Sequence, residues 1–396
     1  MRCRSTRAAL FLSLSLGTLS TSLQTNFRQT NYGAFGEVAL PQQPSTPKAL
    51  VELVAPLKVQ KIAALVAAPV SAGAPQLRVR ASRRILSPEP GAQLAFSENG
   101  QLLRVIGNRV TTYDATTGTV VGNSVLDAGA QIFSVAANGQ TVLYAVPVQA
   151  PAARLRLRLF DAGTGQAQDL PADWYDSEYN GLIGAISANG RLISIYAEGG
   201  PADQPMVVTV YDWLAKRRMA RQSSEYISAG GGFGGGVTSD GVVEFVNNRA
   251  GRKLFDLETG RFIGSFGYLS VRSEDGAWVV EFPNRNWNES APKDVLVKDG
   301  ATAAVRGNLA AEIADNEAYG AVTGAFCGTT GRFVMARRGS VAVYSIPSGS
   351  LLVELPQASW RDTTASDDER TRVACSPTGT RVGILSGARL TIDDLQ

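Results

Sequence analysis

The sequence predicts an all-β chain: a seven-bladed β-propeller of four-stranded blades, its ring closed by an N-terminal strand. Three observations predict it. A short apolar run ending in a polar-polar-glycine turn recurs seven times, about every 46 residues. A second element, Tyr/Phe-Asp-x-x-Thr-Gly, follows the first inside most units. The last unit ends one strand short, and an unpaired strand-like segment stands upstream of the first.

The seven turns are LAFSENG to Gly100, FSVAANG to Gly139, GAISANG to Gly190, GGVTSDG to Gly241, SVRSEDG to Gly276, AFCGTTG to Gly331 and VACSPTG to Gly379. Asn-Gly and Asp-Gly between apolar runs are strong hairpin signals. The second element reads YDATTG at 113–118, FDAGTG at 160–165 and FDLETG at 255–260. It is looser as YDWLAK at 211–216 and YSIPSG at 344–349, and shortened around Val297 to Gly300. Period-2 patterning in RLRLRLF (154–160) favours strand over helix. Four-stranded units at this period bury their faces against one another as propeller blades.

The position four residues before each turn glycine holds Phe96, Val135, Ile186, Val237, Arg272, Cys327 and Cys375, an apolar column interrupted by Arg272. In the tight copies the second glycine follows the first by 18 or 19 residues. Counted from Gly379, that position falls just past Gln396, so the seventh blade is expected to lack its outermost strand. The segment QLRVRASRRI (76–85) is expected to supply it. Arg78, Arg80, Arg83 and Arg84 suit an outer edge, where charge deters pairing with other chains.

These S-x-[ND]-G and [YF]-D-x-x-[TS]-G signatures resemble the WD-repeat-like propellers of bacterial exported proteins, the YVTN-type group among them. The resemblance spans roughly 76–396 and implies a fold rather than an activity. The Gly-His and Trp-Asp pairs of true WD repeats are missing, so neither that family's buried hydrogen-bond network nor its eukaryotic partners are implied.

Upstream, residues 1–22 read as a secretory signal peptide: Arg2, Arg4 and Arg7, an apolar run from Ala8 to about Leu19, then small residues. An Arg- and Ser-rich organelle transit peptide is the rival reading, since the first acidic residue is Glu37. The apolar run is shorter than the ~20 residues a membrane span needs. Residues 23–75 read as a linker, with helical apolar spacing over 49–67 interrupted by Pro56. The expected location is outside the cytoplasm, periplasmic or secreted.

Composition narrows the chemistry. The chain has 396 residues and no histidine, which excludes Ser-His-Asp and Cys-His nucleophiles and any imidazole-held metal. Its 38 basic and 35 acidic side chains balance once the three leader arginines are set aside, so no basic field invites nucleic acid.

In a four-stranded meander the first-to-second and third-to-fourth turns share one face, and here both sets are tight. The insertions fall on the other: 147–154, 197–205 and 282–294 within blades, and 170–181, 309–320 and 357–371 between them. Loops held on a rigid scaffold carry function. Trp174, Tyr175, Tyr179, Trp287, Trp360 and Arg361 lie in these segments and are residue types that dominate interfaces. They are the candidate binding residues, the competing reading being that they pack the loops. Arg272 is a further candidate at the channel, or else a paired or snorkelling side chain.

Other signals are weaker. Asp176, Glu178 and Asn180 imitate the opening of a calcium loop, but its twelfth position is Ser187, and a polar turn is preferred. GGGFGGG at 230–236 precedes no helix, so a thin inner strand is preferred over a phosphate loop. Carboxylates at 173–178 and 362–369 permit a glycosidase pair without fixing one. Asn288 begins a glycosylation sequon, relevant in a eukaryote. Cys327 and Cys375 sit at equivalent positions of adjacent blades and are expected to be separate buried thiols rather than a bridge.

The expected function is an exported, non-catalytic propeller, needing no cofactor, that binds a protein, peptide or glycan through its long-loop face. Two readings stay open beside it: a carboxylate- or calcium-dependent enzyme at the channel mouth, and a structural module of an envelope assembly.

Overall fold

A computed structural model of the chain describes residues 51–53, 77–86, 89, 91–148, 154–175, 181–198, 205–227, 233–247, 251–267, 269–282, 294–312, 323–337, 340–355 and 371–396. The strands form seven antiparallel sheets, each a meander from inner to outer strand. Blade one runs through Gln93–Phe96, Leu102–Ile106, Arg109–Asp114 and Val120–Val125. Blade two comprises Gln131–Val135, Thr141–Val148, Arg154–Asp161 and Gln166–Asp169. Blade three has Gly181–Ile186, Leu192–Glu198, Pro205–Asp212 and Arg217–Ile227. Blade four has Phe233–Val237, Val242–Asn247, Gly251–Asp256 and Phe262–Phe266. Blade five has Ser270–Arg272, Trp278–Glu281, Asp294–Asp299 and Val305–Glu312. Blade six has Thr323–Phe326, Arg332–Arg337, Ser340–Ser345 and Leu351–Leu355.

Blade seven is built from both ends of the chain. Arg372–Cys375, Arg381–Ser386 and Arg389–Leu395 form its three inner strands. Val79–Leu86 adds the fourth, in register from Val79 opposite Leu395 to Leu86 opposite Arg389. The closing strand therefore lies where the repeat arithmetic put it, shifted by a few residues. Asp394 fixes it: Arg83 donates to one carboxylate oxygen at 2.6 Å and Arg381 to the other at 3.0 Å.

The short helix over 49–67, the lesser reading of a segment expected to be a tether, is not formed at the residues described there. Val51–Leu53 is a strand, paired antiparallel with Ala220–Gln222 on the edge of blade three. An open sheet edge offers N–H and C=O partners that a short isolated helix, with its costly nucleus, must supply itself. Residues 54–67 lie outside the described residues.

The hydrophobic core is divided among the seams. Each of seven buried clusters joins one pair of neighbouring blades: Phe96, Leu103 and Tyr113 of blade one meet Leu385, Leu390 and Ile392 of blade seven, for example. The seam between blades four and five is thin, its buried cluster being Val242, Leu254, Phe266 and Val279. Alternation within each strand sends one set of side chains to each neighbour, so no blade has an apolar core of its own.

The repeated turns are hydrogen-bonded devices. All seven turn glycines hold φ between 64° and 79°, a region that excludes most side chains. In blade one the Ser97 hydroxyl donates to Asn99 at 2.7 Å and accepts from the Leu102 amide at 2.9 Å. Blades three and five repeat this with Ser187 and Asn189, and Ser273 and Asp275. The second element is an Asx turn: Asp114, Asp161, Asp256 and Asp299 each accept from amides two or three residues on. Blade five carries this turn at full length, over Asp299 to Ala303, rather than the shortened form expected.

Two blades break the glycine rule. Lys216, at φ 50°, and Ala303, at φ 59°, occupy the slot that Gly118, Gly165, Gly260 and Gly349 fill elsewhere. The aspartate-anchored bonds hold the turn despite the side chain. Ala303→Gly is therefore expected to stabilise the protein by about 0.5–1 kcal/mol, the αL strain relieved less the added freedom of the unfolded chain; denaturant titration measures it. A chain beginning at residue 71 should melt near the full chain, whereas one beginning at residue 87 should melt far lower; equal melting points would contradict closure by this strand.

Candidate functional site

The two faces differ in construction. On one, the turns lock to each other around the ring. Arg104 donates to the Asn138 carbonyl at 2.9 Å, Arg332 to Gly379 at 2.8 Å and Arg381 to Gly100 at 2.9 Å, each reaching the next blade's turn. The Ala137 amide bonds the Ala188 carbonyl, and the Asn189 amide bonds the Ser239 hydroxyl. The strand ends carrying the long connections all lie on the opposite face, so the locked turns position those ends rigidly.

Arg272 belongs to the locked face. Its guanidinium makes two bonds to the Asp240 carboxylate, both 3.1 Å, across the thin seam between blades four and five. The Arg272 side chain is 11% exposed. A Cβ on Gly276 would collide with both partners. The residue that interrupts the apolar column thus bridges two blades as an ion pair, where the other seams have more apolar side chains to bury.

Trp174 also leaves the exposed rim to which its loop assigned it. It is 8% exposed and packs between blades two and three with Leu157, Leu159, Ile193 and Tyr211. Its ring stacks on Tyr211 at 4.2 Å and meets Trp213 edge-on at 6.2 Å, while the Tyr211 hydroxyl donates to its carbonyl at 2.6 Å. Tyr175 packs against the same cluster, and its hydroxyl accepts from the Leu157 amide at 3.1 Å. The packing reading describes both side chains. A large aromatic beside an unfilled seam gains more from burial than from water.

Sequence reasoning missed the partners of this stack. Trp213 and Lys216 lie in the 213–216 turn, with the Lys216 ammonium over the Trp213 ring, and Leu214 beside them is 73% exposed. The signal was present: YDWLAK departs from the repeat both in its Trp and in its missing glycine.

The cysteines require a correction. Cys327 and Cys375 form a disulfide, with Cα atoms 4.8 Å apart. The expectation of two thiols assumed equivalent positions, but the turn of blade six is offset by one residue. The Cys327 amide donates to the Arg332 carbonyl as the Ser376 amide donates to the Arg381 carbonyl, so Cys327 corresponds to Ser376 and sits one step farther into the turn. There the locked turns bring neighbouring blades close. Gly328 permits the approach, since a Cβ on it would lie 2.5 Å from the Pro377 carbonyl oxygen.

Phe233–Val237 confirms the Gly-rich segment as an inner strand over the part described. Tyr179, Trp287, Trp360, Arg361, Asp176, Glu178, Asn180 and Asn288 lie outside the described residues, as do residues 362–369. Among the described residues no group of three Cys, Asp or Glu side chains is placed to hold a metal ion. No family model matches the chain, and no curated protein matches it.

Trp174→Ala should cost about 3–5 kcal/mol of stability by emptying the seam between blades two and three; thermal melting reads it. Cys327→Ala with Cys375→Ala should cost about 2–4 kcal/mol, and mass spectrometry should show the native chain gaining two hydrogens on reduction.

Proposed function

We propose that the protein is an exported, non-catalytic propeller that binds a protein, peptide or glycan through its long-connection face, within the WD-repeat-like, YVTN-type group its signatures resemble. One observation carries the reading: the faces are built differently. On one, the short turns between the two innermost strands are tied by hydrogen bonds to a neighbouring blade at six of the seven seams among the described residues. The other carries every long connection, including those bearing Trp287 between Glu281 and Asp294, and Trp360 between Leu355 and Arg372. A rigid ring presenting variable connections on one side is the architecture of a recognition surface. The disulfide supports export, because such bridges persist in oxidising compartments. The leader-like first 22 residues point the same way.

With Trp174 and Tyr175 assigned to packing, the reading rests on Trp287, Trp360, Arg361 and Tyr179. Trp287→Ala and Trp360→Ala should each weaken partner capture from the native compartment by about 10- to 100-fold, the range of an aromatic hot spot, with the melting temperature unchanged. Glu258→Ala, on an exposed turn of the locked face, is the control and should bind normally. Intact binding with a lowered melting temperature would assign these tryptophans to loop packing and remove the reading's support.

A further inference from the structure

Two adjacent aspartates on the third strand of blade seven meet opposite surroundings. Asp394 faces blade one and is held by Arg83 and Arg381. Asp393 points the other way, towards blade six, and is 1% exposed. Neither of its carboxylate oxygens makes a hydrogen bond of good geometry. Ser82 of the closing strand stands opposite Asp393 in the register, and its hydroxyl gives weak support. The apolar surroundings on this side include Leu395, Val382, Leu352 and Leu355. An ionised carboxylate so placed is costly, and protonation removes the cost.

We propose that Asp393 makes the closing strand a pH-sensitive latch, firm while its carboxyl is protonated and loosened when it ionises. The latch acts on Val79–Leu86 because Asp393 is paired directly with that strand, which completes the blade that packs against blade one.

The charges around Asp393 set the direction. Burial pushes its carboxyl above the usual carboxylate range, opposed by the Ser82 hydroxyl and by Arg84 and Arg83, and reinforced by Asp394. On the second strand of blade seven the residue opposite Asp393 is Val382, while Arg381 lies on the blade-one side with Asp394. On the outer strand of blade six, Val353 and Leu355 face this seam, and Glu354 between them acts on Tyr344 in the seam towards blade five. Burial acts on Asp394 too, but the bonds from Arg83 and Arg381 outweigh it and hold that carboxyl below the usual range. A carboxyl raised on folding contributes stability in full below its unfolded pKa and loses it as pH rises through the folded value; a lowered one loses its contribution as pH falls. Closure is therefore firmest around the ordinary carboxylate range, where both contributions are present, and weakens as pH rises from there.

Hydrogen exchange on the full chain, corrected for intrinsic pH dependence, tests the latch. From about pH 4, where the unfolded carboxyl begins to ionise, to about pH 8, protection of amides in Val79–Leu86 should fall about tenfold or more relative to Val242–Asn247 of blade four. Asp393→Asn should abolish that fall. Arg84→Gln, at an exposed position, should move the midpoint to higher pH, and it decides the matter if the asparagine variant fails to fold. Protection that does not vary with pH, an equal fall in Asp393→Asn, or an unmoved midpoint in Arg84→Gln would overturn the proposal.

Discussion

The structure depends on one constraint: a blade buries its apolar faces only against its neighbours. Each of the seven buried clusters spans a seam, so an unclosed ring would expose apolar surface on both its ends. The closing strand is consequently the element on which the rest relies. It comes from the N-terminal side of the repeats, is locked to Asp394 by Arg83, and sits in the blade that packs against both blade six and blade one. The disulfide ties blade six to the innermost strand of that same blade, at the edge of the sheet opposite the closing strand.

The second level of organisation is the locked turn face. Its hydrogen bonds are individually modest, worth about 0.5–1.5 kcal/mol each, and their effect lies in arrangement. Arg104, Arg332 and Arg381 each cross a seam to a carbonyl in the next turn, which fixes the angle between blades. Where the apolar seam is thinnest, between blades four and five, the Arg272–Asp240 pair takes over. A face so interlocked is poorly suited to adaptable recognition, which is why the proposed binding surface lies on the other side.

Much of this was legible in the chain. The seven glycine turns give blade number, because each needs a positive φ that the sequence marks with Asn-Gly, Asp-Gly or Thr-Gly. The missing last strand and the spare first one give the closure. What could not be read has physical reasons. The composition of a loop does not say which way its side chains turn, so Trp174 looked like a rim residue and proved to fill a seam. Spacing to the glycine misplaced Cys327 by one residue, because blade six carries its glycine later relative to strand pairing. The loose YDWLAK copy and the blade-five turn expected to be shortened both close at full length, with Lys216 and Ala303 in the glycine slot, because the aspartate anchors those turns.

The central claim is that the ring is one cooperative unit held shut by the closing strand. Scanning calorimetry of the chain in mildly acidic buffer tests it most directly. A closed ring predicts one transition, with calorimetric and van't Hoff enthalpies equal within error. Two resolved transitions, with blade seven melting ahead of the remainder, would contradict it.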